Sequence, residues 1–185
     1  DSEGFLLDAG AGTPIKRAQY QNKSSGLPYN DLKNLAASRK LRFFLSHGDS
    51  DHWRLLAWDK ELRDRVTEYV VPHGLELIPF FDKKIRTQVR ELSADLQPLH
   101  LEPSANLNFY RTKPPKPTSN NNGLVAVFEK NGDRVLIAGD CVYNEMLNDN
   151  NLSVASLVSK NSGYKAVVVP HHGDEHSAVD VPLGT

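Results

Sequence analysis

Cysteine is nearly absent from this chain. Cys141 stands alone among 185 residues, which excludes an internal disulfide framework. Nor does either sign of charge dominate. Lys and Arg total 22 against 23 Asp and Glu, for a net charge of −1. Bulk electrostatics therefore do not make this a nucleic-acid binder, and contact with a polyanion must come from a local patch or from bound metal. No run of about 18 apolar residues occurs, so nothing in the sequence reads as a transmembrane helix. The opening Asp1-Ser2-Glu3-Gly4 lacks signal-peptide character. Together these absences point to a soluble protein, with the cytoplasm slightly favoured. The length suits one domain over residues 1–185, with room for a sizeable core. Its ends look cut. A strand begins almost at once, and the chain closes a few residues after a functional-looking motif, as in a fragment or trimmed chain.

The densest chemistry lies in His47-Gly48-Asp49-Ser50-Asp51-His52, where six residues carry two imidazoles and two carboxylates. The stretch follows Leu41-Arg42-Phe43-Phe44-Leu45-Ser46, an apolar run that reads as a strand, and precedes a segment from Trp53 to about Val70 that reads as a helix. Ligand-type side chains at one strand-to-helix turn converge on one point. A mixed nitrogen and oxygen set suits Zn²⁺ or Mn²⁺. The plainer alternative is a polar loop in which Asp51 caps the next helix.

Along the rest of the chain, Phe5 to Asp8 reads as a strand running into Gly10-Ala11-Gly12. That Gly-x-Gly is no dinucleotide fingerprint, because the third glycine is missing and Pro14 interrupts the helix. Residues 14–28 read as loop, and Asn30 as the cap of a helix through Ser38 with Leu32 and Leu35 on one face. Leu75 to Pro79 reads as a strand. Asp82 is expected to cap a helix bearing Ile85, Val89 and Leu92, followed by a strand from Leu96 to Leu101. Lys113-Pro114-Pro115-Lys116-Pro117-Thr118-Ser119 is a stiff, mildly basic loop which, with Arg111, offers cations to a phosphate backbone or simply to solvent. Leu124–Phe128 and Arg134–Ala138 flank Asn131-Gly132, a tight hairpin signal. A helical stretch over Glu145–Lys160 is interrupted by Asn-rich sequence at 148–151. Lys165 to Val169 reads as a buried strand. Strands separated by helices, with one hairpin, indicate an α/β domain.

Three apolar strands end in ligand-type residues: Ser46-His47, Ala138-Gly139-Asp140, and Val169-Pro170-His171-His172. One such ending is common, whereas three together point to a metal site. With these motifs the chain resembles the metallo-β-lactamase superfamily, whose His-x-His-x-Asp-His signature reads here as His47-x-Asp49-x-Asp51-His52, followed by a lone Asp140 and a final His172. Phe5-Leu6-Leu7-Asp8-Ala9-Gly10 resembles the family's early strand, whose Asp supports the site from behind. More narrowly, Asn121-Asn122-Gly123-Leu124-Val125, Leu136-Ile137-Ala138-Gly139-Asp140 and Pro170-His171-His172-Gly173 resemble the hydrolase domain of ComEC-type competence proteins.

The resemblance implies a metallo-β-lactamase-like αββα sandwich, incomplete at both ends. It also implies one or two Zn or Mn ions per chain. His47 and Asp49 would hold the first metal, Asp51, His52 and His172 the second, and Asp140 would bridge. The function implied is a metal-dependent hydrolase using metal-activated hydroxide on a phosphodiester, with DNA the favoured substrate. Asp51 and His171 are the catalytic candidates, His171 as the group that contacts a phosphate oxygen or protonates the leaving group. Two departures qualify this. Trp53-Arg54 stands where relatives carry Gly-Gly, and the superfamily's third His has no clear counterpart, since His100 has a structural setting. Alternatives are therefore a hydrolase of a small-molecule or cell-surface ester, or a catalytically weakened binding or scaffold module of the same fold. His73 reads as a loop residue, Trp53 and Trp58 as packing, and His176 as a substrate contact at best.

Overall fold

A computed structural model describes residues 2–10, 27–37, 39–74, 88–102, 104–159, 163–173 and 177. The chain divides into two compact units, Asp1–Glu91 and Leu92–Thr185. Each carries one sheet, so the expected α/β class holds.

The first unit builds its sheet in the order β1-β2-β3-β4, from β1 (Ser2–Leu7), β2 (Arg39–Phe44), β3 (Val66–Pro72) and β4 (Val89–Leu92). β1 pairs with β2, and β2 with β3, in parallel. Parallel neighbours need crossover connections, and helices supply them. α1 (Leu27–Ala36) lies between β1 and β2, while α2 (Arg54–Trp58) and α3 (Lys60–Asp64) lie between β2 and β3. Leu41, Phe43 and Leu45, alternating along and just past β2, pack with Tyr69, Val71 and the helix residues Ala36, Leu56 and Leu62 into one core.

Several boundaries differ from the sequence expectation. α1 begins at Leu27, ahead of Asn30, because Pro28 fits a first helical turn where its missing N–H costs nothing. Its inner face runs from Leu32 to buried Ala36, a spacing of four, whereas Leu35 is 61% exposed. The long helix expected over Trp53–Val70 breaks into two short ones. Asp59 starts the second by accepting a hydrogen bond from the Leu62 amide (3.0 Å). Val66-Thr67-Glu68-Tyr69-Val70-Val71 then forms strand, as its β-branched and aromatic residues favour. Val89 and Leu92 likewise belong to β4 and not to a helix. The expectations for residues 14–26, the strand at 75–79 and the helix start at Asp82 lie outside the described residues.

The second unit carries the sheet β5-β6-β7-β8-β9, from β5 (Leu96–Glu102), β6 (Ala105–Arg111), β7 (Leu124–Lys130), β8 (Asp133–Ile137) and β9 (Ala166–Val168). Pairing is antiparallel from β5 to β8, and β9 joins β8 in parallel. The β7–β8 turn is the one expected. Asn131 (φ 54°) and Gly132 (φ 87°) both take the left-handed conformation that a two-residue hairpin turn demands. α4 (Tyr143–Leu147) and α5 (Leu152–Leu157) are separated by the Asn-rich break, where the Asn151 side chain accepts from the Ser153 amide (3.0 Å). Met146, Val154 and Leu157 pack on Val125, Val127 and Leu136. β9 is shorter and less buried than its sequence implies: it lies at the sheet edge, Val168 is 50% exposed, and Val169, just past its end, is 42% exposed.

Candidate metal centre

In the first unit, β2 delivers the ligand-rich stretch to the C-terminal end of the parallel strands β1, β2 and β3. The Leu45 amide still bonds to the Val70 carbonyl (2.9 Å), and the chain leaves the sheet at Ser46. A 3₁₀ turn over Ser50–His52 then folds it back, closed by His52 N–H to the Asp49 carbonyl (3.0 Å). This reversal brings His52 beside His47, with ring centroids 4.1 Å apart and planes inclined at 58°. Both imidazoles are buried, at 1% and 6% exposure.

Asp8, at the end of β1, holds the pair from behind. Its Oδ1 accepts from the Ser46 amide (2.7 Å), and its Oδ2 lies 2.9 Å from His52 Nδ1. Ser46 Oγ lies 3.0 Å from His47 Nδ1 and 3.4 Å from His52 Nδ1. Both rings thus have Nδ1 engaged by oxygen atoms, which makes Nε2 the atom suited to a metal. An imidazole oriented by a carboxylate is the usual support of a metal-bound histidine. Asp49 Oδ2 is 3.5 Å from His47 Nε2, and its side chain is 45% exposed. Nitrogen and carboxylate oxygen meet here in the donor chemistry of a borderline divalent ion, so these residues fit one. Asp51 is part-buried and sits within the 3₁₀ turn. It does not cap α2, whose N-cap is Trp53, so the capping alternative falls.

The backbone around this loop is braced closely. Ala9 N–H donates to the His52 carbonyl (2.5 Å), and Leu55 N–H donates to the Ala9 carbonyl (2.9 Å). A Cβ on Gly10 would stand 1.7 Å from the Asp51 carbonyl oxygen, so only glycine permits this approach. The Trp53-Arg54 pair that replaces Gly-Gly also grips the loop. The indole Nε1–H donates to the Gly48 carbonyl (3.0 Å), and Arg54 donates to Ser50 Oγ (2.5 Å). Trp53 packs against the core, as expected, and the Trp58 side chain lies outside the described residues. Sequence reasoning overlooked Ser46, although its place directly before His47 was the available signal.

In the second unit, Asp140 follows β8 through Gly139 (φ 58°) and is 6% exposed. Parallel pairing of β8 with β9 carries the next motif to the same sheet end, where His171 N–H donates to the Gly139 carbonyl (3.2 Å). His171 is part-buried and adopts φ 48°. The His172 side chain and His176 lie outside the described residues.

Other candidates have structural work. His100 is exposed on β5, its Nδ1 2.6 Å from Asn106 Oδ1, and His73 is an exposed loop residue whose Nδ1 lies 2.7 Å from Glu91 Oε2. Asn121 is buried in its own loop, and the Asn122 carboxamide oxygen accepts from Arg111 (2.7 Å). Arg111 is itself buried, donating to the Thr112 and Gly123 carbonyls, and burial pulls its pKa down despite the nearby Asp149. It is therefore no part of a surface basic patch. Cys141 is buried as well, and burial raises its thiol pKa, leaving it an inert packing group.

Residues 1–180 match the family profile described as the metallo-beta-lactamase superfamily. The chain belongs to that superfamily. Metallo-β-lactamase superfamily proteins are mostly metal-dependent hydrolases and bind one or two metal ions. Among solved structures, the chain is similar to CmlA, a diiron β-hydroxylase from Streptomyces venezuelae, at 18% identity and TM-score 0.45, over 68% of this chain and 24% of that one. It is similar to Zn²⁺-bound PqqB from Methylobacterium extorquens at 17% identity and TM-score 0.43, over 74% and 48%. For the metallo-β-lactamase fold protein YhfI from Bacillus subtilis the values are 15% and 0.42, over 76% and 52%. The chain thus spans about a quarter to a half of the length of these three structures. No curated protein sequence matches it.

Proposed function

We propose that this superfamily member is a metal-dependent phosphodiesterase or nuclease, with residues 1–185 acting as one hydrolase domain. The observation that carries the metal reading is the His47–His52 pair, with Asp8 Oδ2 2.9 Å from His52 Nδ1 and Ser46 Oγ 3.0 Å from His47 Nδ1. Side chains held this way are organised for an ion before it arrives. The ligand set is His47, Asp49, Asp51, His52, Asp140 and His172, for one or two ions of the Zn or Mn type. When bound, such an ion acidifies water and polarises the scissile group. Asp51 and His171 are the residues assigned to proton handling, and the phosphodiester preference rests on the ComEC-like motifs around Asn121, Asp140 and His171.

The test joins metal analysis to turnover of bis(p-nitrophenyl) phosphate. The dialysed chain should retain Zn, Mn or Fe and hydrolyse the diester. Asp140→Ala should lose most of both, and His100→Ala, which removes only the Asn106 contact, should lose little. Metal-free, inactive protein would overturn the reading, and equal losses in the two variants would overturn the ligand assignment.

A further inference from the structure

The connection between β6 and β7 does not behave as a slack surface loop. Lys113 N–H donates to both carboxylate oxygens of buried Asp149 (2.9 Å each), and its carbonyl accepts from Asn150 N–H (3.1 Å). Buried Asn121 donates to the Lys116 carbonyl (3.1 Å) and accepts from Thr118 N–H (2.7 Å). Thr112 and Gly123 close the base, with Thr112 N–H on the Gly123 carbonyl (3.0 Å) and Gly123 N–H on Thr112 Oγ1 (2.6 Å). Buried polar groups on both sides hold the backbone, and its prolines stiffen it further. What this scaffold exposes is Lys113, Pro115, Lys116, Pro117, Thr118, Ser119 and Asn122.

The loop's own exposed charge has one sign, and the exposed acid at its base, Asp95, is engaged by the Arg111 N–H (2.9 Å) and the Asn151 carboxamide (2.7 Å). Residues 103–128 contain no Asp or Glu, although acids make up about one residue in eight of the chain. Asp149 is buried, and its carboxylate accepts from the Lys113 and Asn151 amides. Neither lysine has an ion pair among the described residues. Strand register then places the loop. Arg111 pairs with Leu124, Ala126 with Ile137, and Ile137 with Val168. The 112–123 loop, Gly139–Asp140 and Pro170–His171 therefore leave the second sheet at the same end.

We infer that Lys113 and Lys116 form a backbone-tracking rim for single-stranded nucleic acid beside Asp140 and His171. This rests on the phosphodiesterase reading and adds its substrate class. Two ammonium groups on a braced loop, with hydroxyl donors at Thr118 and Ser119, suit successive phosphates of a flexible strand. The loop has no aromatic platform for bases, so contact is with the backbone and carries no sequence preference.

The experiment measures binding of fluorescein-labelled oligo(dT) to the full chain in chelator, between about 50 and 200 mM salt. Each single-strand phosphate contact contributes about 0.7 to the slope of log K against log salt, so K113Q/K116Q should flatten that slope by about 1.4. With metal restored, the variant should lose more activity on the oligonucleotide than on bis(p-nitrophenyl) phosphate, which is too short to span the rim. K130Q, at the far end of β7, should leave the slope unchanged. An unchanged slope in K113Q/K116Q overturns the inference. So do equal losses on the two substrates, failure of the wild-type chain to bind oligo(dT), or a loss seen only on anionic phospholipid vesicles. Failure of the wild type to hydrolyse bis(p-nitrophenyl) phosphate counts against the hydrolase reading, whereas the salt slope tests the rim by itself.

Discussion

At the residue scale, the notable economy is in Asp8, whose two oxygens do different work. One holds the backbone amide of Ser46, and the other lies against His52 Nδ1, so a single carboxylate sets both the exit of β2 and the tautomer of a candidate ligand. Asp8→Ala should therefore weaken metal binding about 10–100-fold, the usual effect of removing a group that orients a ligand. Competition with a chromophoric chelator measures this without reference to turnover. Affinity unchanged in the folded variant would show that packing alone positions His52. The sequence made His47 and His52 visible as ligand types. Their ring separation of 4.1 Å was not legible, because it depends on a 3₁₀ turn that no apolar periodicity announces.

The elements show where local pattern succeeded and where it failed. The Asn131-Gly132 hairpin was legible because both residues favour the left-handed backbone that the turn requires. The run after His52 misled, since Leu55, Leu56, Leu62 and Val66 are compatible with one long helix. The break is set by the Asp59 cap and by Val66 pairing with Leu41 on β2, a partner 25 residues earlier. Between β1 and the ligand turn the fit is tight enough to predict a failure. Gly10→Ala would force a methyl into the Asp51 carbonyl, and overpacking of this kind costs about 1–3 kcal/mol. Melting temperature and metal affinity should fall together. A variant that melts as wild type would mean that the β1 end shifts freely away from the ligand loop.

For the whole molecule, two sheets with separate helix-backed cores match one family profile spanning residues 1–180. The single-domain proposal has a direct test because both tryptophans, Trp53 and Trp58, lie in the first unit. Leu136 is fully buried in the second unit, and Leu136→Ala should cost about 2–5 kcal/mol through lost contacts and the cavity left behind. If the chain unfolds as one domain, tryptophan fluorescence should report the full shift in urea midpoint. A tryptophan midpoint held at the wild-type value would instead divide the chain into two independently folding parts.

The sequence by itself determined the α/β class, the order of the ligand-bearing strand ends and the superfamily, because these follow from apolar runs, turn residues and short motifs read locally. It also marked 113–119 as a stiff basic segment. Only the tertiary structure decided that Arg111 is buried while Lys113 and Lys116 are exposed, and that the loop leaves the sheet at the same end as Asp140. The reason is physical. Side-chain identity states what a residue can bind, whereas burial and strand register, set by partners distant in sequence, determine whether it is available and beside what.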